Sequence, residues 1–321
     1  MPPLLVDSLL LLAGFLFLTK GAGWLVDGGV ALARLLGVSP MVTGLTVVAL
    51  GTSLPEVVVA SLATNRGEHG LALGTVLGSN IANIGLVLGA TGLILPRVFA
   101  QVLSMRETSW LLGSLGLLYL VSGGGALGWV EGLVLFLGFV LYQVLVLRNP
   151  REEGASALEE VATHGSRHPW VLIVLGSIAI ALGAYGAMEG GIGLAEALGV
   201  PPTVIGFTVL AVGTSLPELA AGIVSALKGH AELGLGNVVG SNAFNTLAVT
   251  GVAGTLSPFR GGEQIDLALS RDLPLCLGFT VLLLVLPSLG LGKWNAFRGK
   301  LPGLILLSAY AAYLAYISLA G

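Results

Sequence analysis

The chain has 321 residues, of which 55% are hydrophobic and only 10% charged, and its mean hydropathy is +0.95. So little polar surface excludes a soluble globular protein of this length, and a formal charge of −3 supplies no basic field for nucleic acid. The bilayer is the expected solvent.

A spanning helix needs about 20 predominantly apolar residues. Ten spans are expected on that basis, at 8–33, 40–65, 70–95, 107–122, 127–147, 169–199, 202–227, 231–255, 271–289 and 300–319. The first opens MPPLLVDSLLLLAGF, with no basic leader and no small-residue cleavage site, so it reads as a retained span. Spans one and six are the long ones and must tilt or run past the hydrocarbon. Their glycine-rich segments, GAGWLVDGG and GAYGAMEGGIG, predict close helix approach and mark these two as the expected moving element. Cys276 is the single cysteine; it permits no internal disulfide and reads as apolar filler in the ninth span.

Residues 44–84 and 206–246 are one segment written twice, 162 positions apart, with 19 of 41 positions identical and no gap. Identity is densest at two polar islands, GTSLPE and GSNxxN, inside long apolar runs. The same offset pairs Asp27 with Glu189 and Gly37 with Gly199, so the duplicated unit extends upstream. Each half then holds five spans: residues 1–147 and 169–321, joined by a polar linker over 148–168. An odd number of spans per unit inserts the second copy upside down, the inverted repeat of alternating-access transporters. Counting basic residues in alternate loops gives ten on the linker's side against three, which predicts a cytoplasmic linker with both termini outside.

In GTSLPE, Pro55 and Pro217 donate no amide hydrogen and clash with the carbonyl four residues back, so a helix break is expected. Broken helices at membrane depth are tolerated where the freed backbone is buried or lines a cavity, here around Ala49 to Ser53 and Ala211 to Ser215. The adjacent Glu56 and Glu218 outweigh the positive end of each half-helix and make the ligand a cation. Two carboxylates with hydroxyl oxygens match the charge-rich oxygen shell of Ca²⁺ better than the reluctantly dehydrated Mg²⁺. On the next span of each half, Ser79 and Asn83, like Ser241 and Asn245, are i, i+4 neighbours on one stripe, and their neutral oxygens suit Na⁺. Asn80 and Asn242 read equally as ion ligands or as helix-to-helix hydrogen bonding. Asp27 and Glu189 read equally as gating acids or plain helix-end residues, and His69 and His230 as interfacial.

The duplicated GTSLPE and GSNxxN pair resembles the two alpha repeats of the cation/Ca²⁺ exchanger superfamily, specifically its prokaryotic sodium/calcium exchangers. The resemblance implies a central cluster in which Glu56 and Glu218 bind Ca²⁺ with the carbonyls of Thr52 and Thr214. Flanking Na⁺ sites would use Ser53, Ser79, Ser215 and Ser241 with the carbonyls of Ala49 and Ala211, and Asn83 and Asn245 at the remaining corners. Some relatives carry aspartate where this chain has Asn245, so potassium coupling is not expected. The expected function is therefore Na⁺/Ca²⁺ antiport in the cell membrane, with no catalytic centre and no cofactor. The expected partners are lipid and the two ions, with no obligate protein partner. A Ca²⁺/H⁺ antiporter is the nearest alternative. A channel fits inverted repeats less well, and no HExxH, GxSxG or paired catalytic aspartate in the spans suggests an enzyme.

Overall fold

The computed structural model describes residues 3–100, 103, 105–123, 127–148, 168–200, 212–259, 262–288 and 300–320. These residues are helical, with one isolated antiparallel bridge between Leu127 and Phe259. We number the helices α1 (Pro3–Leu36), α2 (Pro40–Thr52), α3 (Leu54–Asn65), α4 (His69–Ile94), α5 (Met105–Ser122), α6 (Trp129–Arg148), α7 (Pro169–Ala197), α8 (Leu216–Leu227), α9 (231–256), α10 (263–288) and α11 (Leu301–Ala320).

Six of the described helices are long and apolar enough to cross a membrane: α1, α4, α6, α7, most of α10 and α11. The α2 and α3 segments, bent by 47°, count as a seventh if taken as one span. Three predicted spans fall outside this set. The 202–227 span is described only from residue 212, and 107–122 lies in α5. The 231–255 span coincides with α9, in which every residue from 233 to 250 is buried. That helix carries Asn237, Ser241, Asn242, Asn245, Thr246 and Thr250 into the protein interior, so its composition is less apolar than that of a lipid-facing helix. The 149–167 part of the linker lies outside the described residues.

The duplication has a backbone signature. Among the described residues, four glycines have positive φ: Gly37 and Gly199, at 65° and 74°, and Gly67 and Gly229, at 77° and 78°, each pair 162 positions apart. All four close a helix in the left-handed conformation that glycine adopts without steric cost.

Helices α1 and α7 pack antiparallel along their length. Gly14 abuts Ala187, Gly21 abuts Ile180 and Gly28 abuts Ile173, while Gly176, Gly183 and Gly190 abut Leu25, Leu18 and Leu11 in turn. These glycines recur every seven residues on both helices, at positions again 162 apart. A heptad of small residues gives each helix a continuous smooth seam, and without side chains between them the backbones approach closely enough to exclude any substituent. An added β-carbon at Gly183 would lie 2.6 Å from Leu18 N. The pair is the main contributor to a second apolar core, built on Leu18, Leu25, Val26, Leu32, Ile173 and Ile180 together with Val48 of α2 and Leu233 of α9, and distinct from the larger core.

Candidate functional site

The predicted break falls at Ser53, where φ −90° and ψ 10° interrupt the helix between Thr52 and Leu54. Ser215 repeats it at φ −90° and ψ 2°. Proline in the first turn of each following helix removes only an amide that has no intrahelical partner there. Glu56 and Glu218 each stand in that first turn, the end favourable to negative charge. On α4 and α9 the GSNxxN islands run into π-helical turns, Asn83–Leu88 and Phe244–Val249. The wider turn shifts side chains out of ordinary α register at this point, a feature frequent at functional sites.

These elements meet at one buried polar cluster. Thr52, Ser53, Glu56, Asn83, Ser215, Glu218, Ser241 and Asn245 are fully buried, and Ser79 and Thr214 are 2% and 5% exposed. Close packing seats the helices: Gly44 on α2 and Gly236 on α9 face each other, and a β-carbon at Gly240 would lie 2.6 Å from Leu45 O.

Most hydrogen bonds of the cluster cross from one half of the sequence to the other. The Ser53 hydroxyl donates to Glu218 Oε1 at 2.9 Å, and Ser241 donates to the same oxygen at 3.5 Å. Ser79 donates to Glu56 Oε1 at 2.9 Å and lies 3.5 Å from the Ser215 hydroxyl. Asn245 Nδ2 donates to Ser79 Oγ at 3.3 Å, and Asn83 Nδ2 to Asn242 Oδ1 at 3.0 Å. Asn80 Nδ2 donates to Thr246 Oγ1 at 2.8 Å and Asn242 Nδ2 to the Asn80 carbonyl at 3.2 Å, so Asn80 and Asn242 tie α4 to α9. The Ala49 carbonyl accepts Ser53 N–H at 3.0 Å and the Thr52 hydroxyl at 3.3 Å. Ala211 lies outside the described residues. Thr214 sits beside the second break with its side chain buried.

What the network leaves over defines its chemistry. Glu56 Oε2, Glu218 Oε2, Asn83 Oδ1, Asn245 Oδ1 and Asn80 Oδ1 are buried and accept no hydrogen bond, whereas Asn242 Oδ1, the counterpart of the last, accepts from Asn83. The first four form two pairs at equivalent positions of the duplicated sequence. Buried acceptors are almost always satisfied, and an unpaired buried carboxylate costs several kcal/mol. No ion pair reaches either glutamate. Four oxygens, two of them carboxylate, with flanking hydroxyls are a donor set for a hard cation.

Sequence reading missed Asn237. Its Oδ1 accepts the Thr52 hydroxyl at 3.1 Å, and its buried Nδ2 has no acceptor. It stands four residues before Ser241 on the same helical stripe, which is the available signal. The equivalent position of the first half is Thr75, which bonds only to its own helix at Leu71 O, so comparing the halves passes over it.

A many-helix membrane protein whose interior converges on unpaired, pseudo-symmetric oxygens has the architecture of an ion transporter. The family model described as sodium/calcium exchanger protein matches residues 7–148 and 168–319. The chain belongs to this family, within the cation/Ca²⁺ exchanger superfamily, and is a multi-pass membrane antiporter. Sodium/calcium exchanger MaX1 of Methanosarcina acetivorans is 31% identical over 96% of this chain and 97% of its own length. Inner membrane protein YrbG of Escherichia coli is 33% identical over 98% and 97% of the two chains. Among solved structures, the sodium-calcium exchanger NCX_Mj soaked with 100 mM Na⁺ and 10 mM Sr²⁺ superposes with a TM-score of 0.78. It is 27% identical over 97% of this chain and 98% of that one.

Proposed function

We propose that the protein exchanges Na⁺ for Ca²⁺ by alternating access, extruding Ca²⁺ from the cytoplasm. The observation that carries this reading is the set of four unpaired buried oxygens, Glu56 Oε2, Glu218 Oε2, Asn83 Oδ1 and Asn245 Oδ1. The two carboxylates, with the carbonyls of Thr52 and Thr214, balance the charge of one Ca²⁺. Na⁺ takes positions flanked by Ser53, Ser79, Ser215 and Ser241, the carbonyls of Ala49 and Ala211, and the amide oxygens of Asn83 and Asn245. Both ions need the same glutamates, so occupancy by one excludes the other. An empty site holds two bare carboxylates away from water, which opposes its translocation and couples the two fluxes.

The proposed frame is ten spans in two inverted five-helix repeats, 1–147 and 169–321, joined by the 148–168 linker. Its support is the antiparallel packing of α1 against α7, which are equivalent helices of the duplicated sequence. Their glycine seam, and a core formed mostly of their own residues, suit them to move as a unit against the other helices. The excess of basic residues on the linker side supports a cytoplasmic linker with both termini outside.

Equilibrium binding of ⁴⁵Ca²⁺ to purified protein tests the shared site. Na⁺ should displace Ca²⁺ competitively, with the apparent Ca²⁺ Kd rising as Na⁺ is raised and the number of Ca²⁺ sites unchanged. Ca²⁺ binding that is indifferent to Na⁺ but falls with added protons would favour the Ca²⁺/H⁺ alternative.

A further inference from the structure

The two halves of the molecule are packed differently. On α8, Leu216, Ala220 and Val224 lie against the α1/α7 core. Their counterparts on α3, 162 positions earlier, are Leu54, Val58 and Leu62, which are 42%, 57% and 52% exposed. Helix α1 lies along α8, whereas α7 makes no comparable packing with α3.

Charge follows the same division. Lys228, the residue after α8, donates to Asp27 Oδ1 on α1 at 2.6 Å and to the Gly23 carbonyl at 3.2 Å. The equivalent residues are Arg66, the residue after α3, and Glu189 on α7. Both are exposed, and no ion pair joins them. The chemistry of the pair is conserved through the duplication, one acid and one base, while the contact exists on one side only.

We propose that Asp27–Lys228 and Glu189–Arg66 are two latches that form one at a time, each holding the α1/α7 pair against one of the half-helices that follow the breaks. This rests on the alternating-access reading. Transfer of the pair from α8 to α3 buries the stripe Leu54, Val58 and Leu62, brings Glu189 to Arg66, and uncovers Leu216, Ala220 and Val224. With the linker cytoplasmic, Lys228 is at the inner end and Arg66 at the outer end, so the arrangement described here is closed inside. Partly exposed ion pairs shift a two-state equilibrium only about 1.4- to 5-fold. Two matched pairs of that strength steady each state without trapping either, as a carrier that must visit both requires.

The test reads conformation and not transport. Cys276→Ala with Leu62→Cys gives one thiol on the uncovered stripe, and its labelling rate by a membrane-impermeant maleimide is measured in intact cells and in inverted vesicles. Testing both sides makes the result independent of the assumed orientation, and the rate does not depend on which ions are exchanged. Lys228→Asp should slow labelling by up to about fivefold. Asp27→Asn, which removes the pair without reversing a charge, should slow it in the same direction. The swap Asp27→Lys with Lys228→Asp should restore the rate, which also shows that the variants fold. Arg66→Asp should raise it. Labelling that is unchanged by Lys228→Asp and Asp27→Asn, or slowed but not restored by the swap, overturns the latch while leaving the ion-exchange reading to its own flux assay.

Discussion

The Ser53 hydroxyl, at the helix break of the first half, donates to Glu218 Oε1 of the second half at 2.9 Å. The reciprocal bond, from Ser215 to Glu56, is replaced by a bond from Ser79 to Glu56 Oε1 at 2.9 Å. Each glutamate therefore has one oxygen held by serine, Ser79 at Glu56 and both Ser53 and Ser241 at Glu218, and the other left without a partner. A fixed carboxylate with one bare oxygen is oriented for an ion before the ion arrives, which lowers the ordering cost of binding.

Substitution of either glutamate follows directly. Glu56→Gln or Glu218→Gln keeps the volume and a carbonyl oxygen but removes one of the two charges that balance Ca²⁺. Ca²⁺ affinity should fall on the order of a hundredfold, equivalent to about 2.8 kcal/mol. The melting temperature in detergent should not fall, because removing a buried charge without an ion pair lifts a cost of folding. Isothermal titration of Ca²⁺ alongside a melting curve checks both parts.

The glycine seam gives a stability prediction with a built-in control. A β-carbon at Gly183 meets Leu18 N at 2.6 Å, and backbone cannot yield as a flexible side chain does. Gly183→Ala should therefore destabilise by about 1–3 kcal/mol, the usual cost of overpacking. Gly191 lies on the same helix with nothing within 4 Å of an added β-carbon, and Gly191→Ala should be neutral or slightly stabilising. Thermal unfolding of the two variants in one detergent distinguishes them.

His230 supplies a pH prediction outside the spans. Burial pushes its pKa below the ordinary value of 6.5; the carboxylate of Asp27 opposes this, and the cations Lys228 and Arg34 add to it. A histidine held neutral in the folded protein contributes stability above its unfolded pKa, and that contribution is lost as pH falls toward the folded value. Melting temperature should thus decline on acidification below about pH 6.5, and decline less in His230→Gln. Parallel pH profiles for wild type and variant would show that His230 has no part in the loss.

The corner at Asn245 sets the potassium expectation. It offers a neutral amide oxygen, so the site has one fewer negative charge than with a carboxylate there to hold a monovalent cation beside Ca²⁺. Exchange should be unchanged when K⁺ is replaced by choline at a fixed membrane potential. Activity that stops without K⁺ would show that this residue does not govern potassium coupling.

The polar core of the site was readable because chemistry and duplication point to the same atoms. Pro55 and Pro217 dictate the breaks, and unpaired oxygens fall on Glu56, Glu218, Asn83 and Asn245, with that of Asn80 beside them. The heptads Gly14, Gly21, Gly28 and Gly176, Gly183, Gly190 are equally present in the sequence, yet reading them as glycine-rich texture missed which helices they join. That pairing is a tertiary fact, since a glycine face does not name its partner. Asn237 was missed because Thr75 stands opposite it in the first half. The covering of α8 but not α3 is beyond any reading of the repeat, because equivalent sequences adopt different environments within one conformation.

Flux tests the central claim most directly. Purified protein in Na⁺-loaded proteoliposomes, diluted into Na⁺-free medium with ⁴⁵Ca²⁺, should accumulate Ca²⁺ only while the outward Na⁺ gradient lasts. Vesicles loaded with K⁺ or choline should show no uptake, and an imposed pH gradient should not substitute for Na⁺. Uptake driven by the proton gradient in Na⁺-free vesicles, or uptake indifferent to internal Na⁺, would contradict Na⁺/Ca²⁺ exchange.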